Sequence, residues 1–496
     1  MYSHILCPQR APANPANPAT PARPDVHIVP IVSGGKLELD DAELSRAAHA
    51  ALRRPEAGGD VGQVVMADVD GGRLVLLGLG EPAPLDADAV RVAAWHLLRA
   101  LHAIGARRAH WHSPAATPTL GDAGELARVL AQGLELSRFR FDTYKQPPAT
   151  AGPRGKLTLS TDDAPTRRQL QAGLALAASI NHARELAAQP PNVATPDYLA
   201  AHARALARKH ELRCTVYRGE QLRKRRLVGL ETVGRASEHK PCLIELVHQP
   251  ARPRATVVLV GKAITFDAGG LSLKINDTMR HMKYDKAAGC AVLGAMHAVA
   301  RLKPNVRVVG LLPAAENAVS DQAYRVDDIL RFPNGVSVEV TNTDYEGRLV
   351  LADGLIHACK QYKPDALIDL GTLTGEIIQG LAGRTAGLWC DDAPLRERLL
   401  TAGERAGEPV WPMPLTREHR EAIVSPHADV VNLALDEPGK PGQCAAFLER
   451  FVTPGVAWAH LDIAGPVHVT AERPPFAVGP TGYGAGLLAE LIAGWG

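Results

Sequence analysis

The chain has 496 residues, of which 46% are hydrophobic, 22% charged and only 4% aromatic. That length asks for two or more domains, and the balance is that of a globular protein with aliphatic cores rather than a disordered or fibrous one. A formal net charge of +2 excludes a chain-wide electrostatic role with nucleic acid or an anionic membrane, either of which would need a local basic patch.

The first stretch, MYSHILCPQRAPANPANPATPARPD, has neither the basic start nor the apolar core of a signal peptide. It reads as a flexible Pro/Ala-rich lead-in over residues 1–24. Seven scattered cysteines (Cys7, Cys214, Cys242, Cys290, Cys359, Cys390 and Cys444) contain no C-x-x-C pair. This predicts reduced thiols in a cytoplasmic protein rather than a disulfide framework or a zinc knuckle. No uncharged apolar run reaches about 18 residues, so no membrane span is expected.

From 25 to 164 the pattern is that of a small α/β domain. VHIVPIVS and RLVLLGLG read as strands, and DADAVRVAAWHLLRALHAIG and ELARVLAQGLELSRFRFDTY carry apolar residues at helical spacing. No catalytic cluster is legible there. Gly78 and Gly80 lack the third glycine of a dinucleotide loop and read as turn residues. A Pro/Gly/Ser/Thr-rich stretch, 143–164, marks the boundary. A linker helix follows over 165–190, stopped by Pro190 and Pro191. The run RKRR, Arg223–Arg226, is the one strong basic cluster; it reads as a solvated surface, with a nucleic-acid contact as the alternative.

Residues 191–496 read as the larger α/β domain. TVVLV, RVVGLLP, SVEVTN and DALIDL are continuous apolar strands, and AAGCAVLGAMHAVARL and LVLADGLIHACKQY are the helices between them. Such alternation predicts a mixed, mostly parallel sheet covered by helices on both faces. Ligands in such sheets collect beyond the carboxyl ends of strands, where GKAITFDAGGLSLK places Lys262, Asp267 and Lys274. A phosphate loop is ruled out, because Thr256 and Ala263 stand where it needs Gly and Ser or Thr.

MKYDK places Asp285 just before a helix, where an acid often serves as an N-cap. NTDYEGRL then brings Asp344, Glu346 and Arg348. Alternation along an extended segment would point these three one way and Tyr345 the other. Four carboxylates at one sheet edge repel strongly unless divalent cations neutralise them, and paired cations held by shared carboxylates are a hydrolytic arrangement. No G-x-S-x-G or H-E-x-x-H occurs, which leaves a serine hydrolase or a zincin without its motif.

Taken together, ARELAAQPPNVATPDYLA, VGKAITFDAGGLSLK, MKYD, NTDYEGRLVLADGL, DLGTLTG, WAHLDIAG and GPTGYGAGLL resemble the leucyl aminopeptidase (cytosol aminopeptidase) family in order and spacing over roughly 180–490. The resemblance implies a two-domain metallo-aminopeptidase that removes leucine-like N-terminal residues from peptides. It implies two divalent ions, Mn²⁺ or Zn²⁺, held by Lys262, Asp267, Asp285, Asp344 and Glu346. Lys274 and Arg348 match the catalytic pair: Lys274 polarises the scissile carbonyl, and Arg348 holds bicarbonate as general base. Met282, Thr372, Leu373 and Gly375 match the pocket for the first side chain. A homohexamer is implied as well, and some members bind DNA, so a binding or structural role without turnover is the alternative. The chain departs from the family at Tyr345 (usually Ala), Ala263 (usually Gly), Ala268 (usually Ser or Thr), Lys286 (commonly apolar) and Tyr324–Asp328, YRVDD in place of RPGD.

Overall fold

Strands made almost entirely of Val, Ile, Leu, Ala and Gly have no face to give to water, so they must lie in the middle of a covered sheet. In the computed structural model, which describes residues 1–9, 13–14, 17–21, 23–81, 86–112, 123–146 and 155–495, this holds for Thr256–Gly261 and Ala366–Gly371, buried at every position. Each pairs in parallel with its neighbours: Thr256–Gly261 with Arg307–Asn317 and Ala366–Gly371, and the latter with Ala457–Asp462. Antiparallel strands flank this centre, Cys242–His248 and Arg213–Arg218 on one side and Ala386–Trp389 on the other. The sheet is therefore mixed and mostly parallel, and the fold is α/β.

The chain forms two units, Met1–Ala178 with Ala471–Val478, and Ser179–Thr470 with Gly479–Gly496. The division falls inside the helix Ala164–Ala188, whereas composition placed it in the stretch 143–164, part of which (147–154) lies outside the described residues. In the first unit, Val26–Ile31 sits between Arg108–Trp111 and Gly72–Gly78. His4–Leu6 pairs with Lys156–Thr158 and Tyr2 and Ile5 are buried in the core, so the start of the expected lead-in is built into the sheet. Residues 10–12, 15–16 and 22 of that lead-in lie outside the described residues. The apolar pattern SVEVTN is a strand, Ser337–Glu339, but it belongs to a separate three-stranded sheet with Ile329–Arg331 and Val430–Val431.

Helix ends follow local chemistry. Thr195 caps Pro196–His210, with proline at the first position and Glu211 left-handed at its end. The RKRR run occupies the exposed last turn of Glu220–Arg225 and its C-cap, where cations complement the helix dipole. Arg225 also stacks on Tyr217 at 4.1 Å. Among the described residues no helix is long and apolar enough to cross a membrane.

Under the sheet lies one fully buried charge pair. His460 Nδ1 is 2.6 Å from Asp369 Oδ1, and Trp458 Nε1 donates to Asp369 Oδ2 at 2.7 Å. Burial alone would lower the imidazolium, but the Asp369 charge and hydrogen bond outweigh it and raise His460 to about 10. The folded state therefore binds more protons than the unfolded one, whose histidine titrates near about 6.5. Stability from this pair should be complete below that pH and fall as pH rises from there towards 10. Thermal unfolding measured across that range is expected to show the decline, and His460→Gln is expected to flatten it.

Candidate active site

Asp267 ends the short strand Ala263–Asp267. Its Oδ1 accepts from the Gly269 amide at 2.9 Å and from Asn317 Nδ2 at 2.8 Å. Asn317 closes the neighbouring strand, so two adjacent strand ends fix this carboxylate. Asp285 is not an N-cap: the helix Ala287–Leu302 has no side-chain cap, and Asp285 lies in the preceding 3₁₀ turn, Met282–Lys286. Its Oδ1 accepts from Thr372 Oγ1 at 2.7 Å. The local context suits a cap, but Thr372 and Lys262, remote in sequence, take the carboxylate instead.

Asp344 and Glu346 do not lie on an extended segment. The chain turns at 343–344 and enters the helix Gly347–Tyr362, so strand alternation does not order these side chains. The turn is held by contacts remote in sequence. Thr343 Oγ1 donates to the Gly269 carbonyl at 2.7 Å and accepts from the Ser272 amide at 2.8 Å. Tyr324 Oη donates to the Thr343 carbonyl at 2.7 Å, and Asn432 Nδ2 to the Asn342 carbonyl at 2.6 Å. Tyr324, the first residue of the departure YRVDD, is thus a buttress of the acidic turn. Asn317, Thr343 and Asn432 escaped the sequence reading, because an amide or hydroxyl at a loop has no signal until its partner is known.

The acidic groups converge. One oxygen from each of Asp267, Asp344 and Glu346 falls within 4.8 Å of the others. Lys262 Nζ lies 2.8 Å from both Asp285 Oδ1 and Glu346 Oε1, and donates to the Thr372 carbonyl at 3.0 Å. Lys274 Nζ lies 2.8 Å from Asp267 Oδ2 and 2.6 Å from Asp344 Oδ1. Burial opposes the charge on both lysines, but the surrounding carboxylates outweigh it and push both ammoniums up. Burial and the neighbouring Asp267 raise Asp344 to about 6 and lift Glu346 well above its ordinary range, and Asp285 is raised too.

Arg348 is displaced from the acids. Its Nη1 donates to the Asn432 carbonyl at 2.7 Å, and its guanidinium lies over the rings of Tyr345 at 4.8 Å and Phe447 at 5.9 Å. Tyr345 therefore packs on Arg348 rather than facing away from it. Thr372 and Leu373 follow the strand Ala366–Gly371, and the Leu373 amide donates to Asp462 at 3.2 Å. Gly375 has open space at its α-carbon, and Met282 is half-buried at the start of the turn that carries Asp285. Lys286, buried next to Asp285, donates to the carbonyls of Gln189 and Lys283 at 2.9 and 2.5 Å.

Two lysines against four carboxylates leave negative charge uncompensated. Among the described residues Asp285 Oδ2 has no hydrogen-bond partner, and Glu346 Oε1 and Asp344 Oδ1 meet only the ammoniums. Buried oxygens in that condition are costly. A set of hard oxygen donors with spare lone pairs suits divalent cations.

Fold and site together define an α/β metallohydrolase. Residues 181–489 match the model of the cytosol aminopeptidase family catalytic domain, and 28–148 that of its N-terminal domain. A probable cytosol aminopeptidase of Geobacter sulfurreducens is 39% identical over 427 residues, covering 85% of this chain and 84% of that one. One from Aquifex aeolicus is 38% identical over 421 residues, 84% of each. Among solved structures, the bottromycin maturation enzyme BotP in complex with Mn superposes with a TM-score of 0.85 at 35% identity, over 95% of this chain and 100% of that one. The chain belongs to the cytosol aminopeptidase family, and is a metal-dependent aminopeptidase.

Gly269 is left-handed, with φ +89°, and an added Cβ would lie 2.4 Å from the Ser272 carbonyl oxygen and 2.9 Å from Asp344 Oδ1. Gly269→Ala should therefore displace the loop and the carboxylate together. Metal content and peptide hydrolysis are expected to fall in parallel, the latter by about 100-fold, the usual cost of an ångström-scale misplacement.

Proposed function

We propose that this aminopeptidase uses two divalent ions, with Mn²⁺ or Zn²⁺ as the candidates, to cleave the first peptide bond of peptides that begin with leucine-like residues. The observation that carries it is the convergence of Asp267, Asp285, Asp344 and Glu346, where among the described residues Asp344 Oδ1 and Glu346 Oε1 meet only ammoniums and Asp285 Oδ2 has no hydrogen-bond partner. These four and Lys262 would hold the ions, Lys262 only after giving up its proton. When bound, such ions supply Lewis acidity and bring the pKa of water down towards neutrality. The manganese in the BotP structure supports Mn²⁺ as one candidate.

The chain's own groups do the rest. Lys274 is held as an ammonium by the acids beside it, and its side chain is 12% exposed. It would donate to the carbonyl oxygen of the scissile bond and stabilise the charge that develops there. Among the described residues the buried Arg348 Nη2 has no hydrogen-bond partner; it would take a small anion such as bicarbonate, positioned to accept a proton. Met282, Thr372, Leu373 and Gly375 would receive the first side chain. Specificity for a free N-terminus follows because only an unblocked α-amino group can join the donors around the ions.

Release of chromophore from a leucyl anilide should be lost on chelation and restored by Mn²⁺ or Zn²⁺; activity that survives complete metal removal would sink the proposal. Lys274→Ala is expected to retain both ions and lose kcat by roughly 10²–10³-fold, the cost of one stabilising donor. The Tyr345–Arg348 contact is of a kind that contributes roughly 0.5–2 kcal/mol. Tyr345→Ala should therefore lower kcat by roughly 2- to 30-fold with metal content unchanged, while Tyr345→Phe keeps the stack and most of the rate.

A further inference from the structure

WAHLDIAG, residues 458–465, stands among the sequence motifs without a task. It supplies none of the ion donors, neither catalytic group and none of the pocket residues. Its strand, Ala457–Asp462, runs parallel to Ala366–Gly371, with Asp462 opposite Gly371 where both strands end. That is the edge of the sheet at which ligands collect. Asp462 is fully buried. Its Oδ1 accepts from the amides of Leu373 and Ala464, both at 3.2 Å, and its Oδ2 accepts from Thr374 Oγ1 at 2.7 Å. All three donors are neutral. A carboxyl group taken out of water with only such partners is an expensive choice for packing alone.

What it holds is the turn beyond Gly371. Thr372, the first residue of that turn, meets the ion donors twice. Its carbonyl accepts from Lys262 Nζ at 3.0 Å, and its Oγ1 donates to Asp285 Oδ1 at 2.7 Å. Leu373 lies beside the same ammonium, since a Cβ placed on Gly347 would be 2.5 Å from Lys262 Nζ and 2.7 Å from Leu373 Cδ2. Thr372, Leu373 and Gly375 are also residues of the proposed pocket. One short turn thus serves two ion donors and the pocket wall, and two consecutive residues of it, Leu373 and Thr374, are tied to one carboxyl group. Functional loops depend on a rigid scaffold to place them, and Asp462 is where this loop is fastened to a central strand.

We propose that Asp462 is a positioning residue: its carboxyl clamps the turn 372–374, and through that turn it aims Lys262 and Asp285 at the ions and sets the pocket wall for the first side chain. The inference rests on the two-ion reading above. Asp462 acts through the turn rather than on the substrate, so its loss should alter ion affinity and selectivity together.

Three variants of the full chain test this. Asp462→Ala removes all three hydrogen bonds, and Thr374→Val removes one while keeping the side-chain shape. Asp462→Asn keeps an oxygen for the two amides and can reverse the bond to Thr374. After removal of metal, titration calorimetry should show Mn²⁺ bound about tenfold more weakly by Asp462→Ala, the lower end of the loss when a support of metal ligands is removed. Thr374→Val should show a smaller loss in the same direction. The ratio of kcat/KM for a leucyl over an alanyl anilide should fall in the same order, and Asp462→Asn should recover most of both. Wild-type Mn²⁺ affinity and an unchanged ratio in Asp462→Ala, or in Thr374→Val if the alanine variant does not fold, would make Asp462 a packing residue and overturn the proposal, whatever the melting temperatures. Failure of every chain to cleave either anilide, with the order of Mn²⁺ affinities intact, would instead count against the hydrolytic reading alone.

Discussion

Four carboxylates brought out of water into one pocket are the constraint on which the rest of this molecule rests. Asp267, Asp285 and Glu346 are buried, and Asp344 only partly exposed. Neither desolvation nor their mutual repulsion favours placing them together. The fold offsets part of the cost with Lys262 and Lys274, each seated between two of the acids. Two positive charges cannot balance four negative ones. What remains is a pocket with spare negative charge, which suits divalent cations.

Holding that pocket together demands backbone as much as side chain. Gly269 and Gly270 are both left-handed, a conformation that favours glycine, and they let the loop after Asp267 double back against Thr343. Gly347 makes room for Lys262, since a Cβ there would lie 2.5 Å from its Cε and Nζ. Asn317 and Tyr324 both bond the Thr343 carbonyl from behind. The acids are thus set by a shell of neutral hydrogen bonds that does not add to the charge. Arg348 stands outside this shell, gripped by Asn432 and stacked on Tyr345 and Phe447. Tyr345, a departure from the family's usual alanine, gives the guanidinium an aromatic support that alanine cannot provide.

What the sequence determined by itself was everything encoded in local order. Apolar runs such as TVVLV and DALIDL marked the central strands because burial on both faces leaves few polar positions, Asp369 being admitted only with His460 and Trp458 as partners. The acids, lysines and arginine were legible because their spacing within short motifs is itself the signal. Tertiary structure decided what depends on partners far along the chain. Asp285 had the context of a helix cap, and only Lys262 and Thr372 made it part of the pocket. Alternation placed Arg348 beside Asp344 and Glu346, and the turn before Gly347–Tyr362 moved it to Asn432 instead. SVEVTN carried a strand pattern but no mark of which sheet it would join. A local pattern fixes what a residue can do, and the long-range contact fixes which of those things it does.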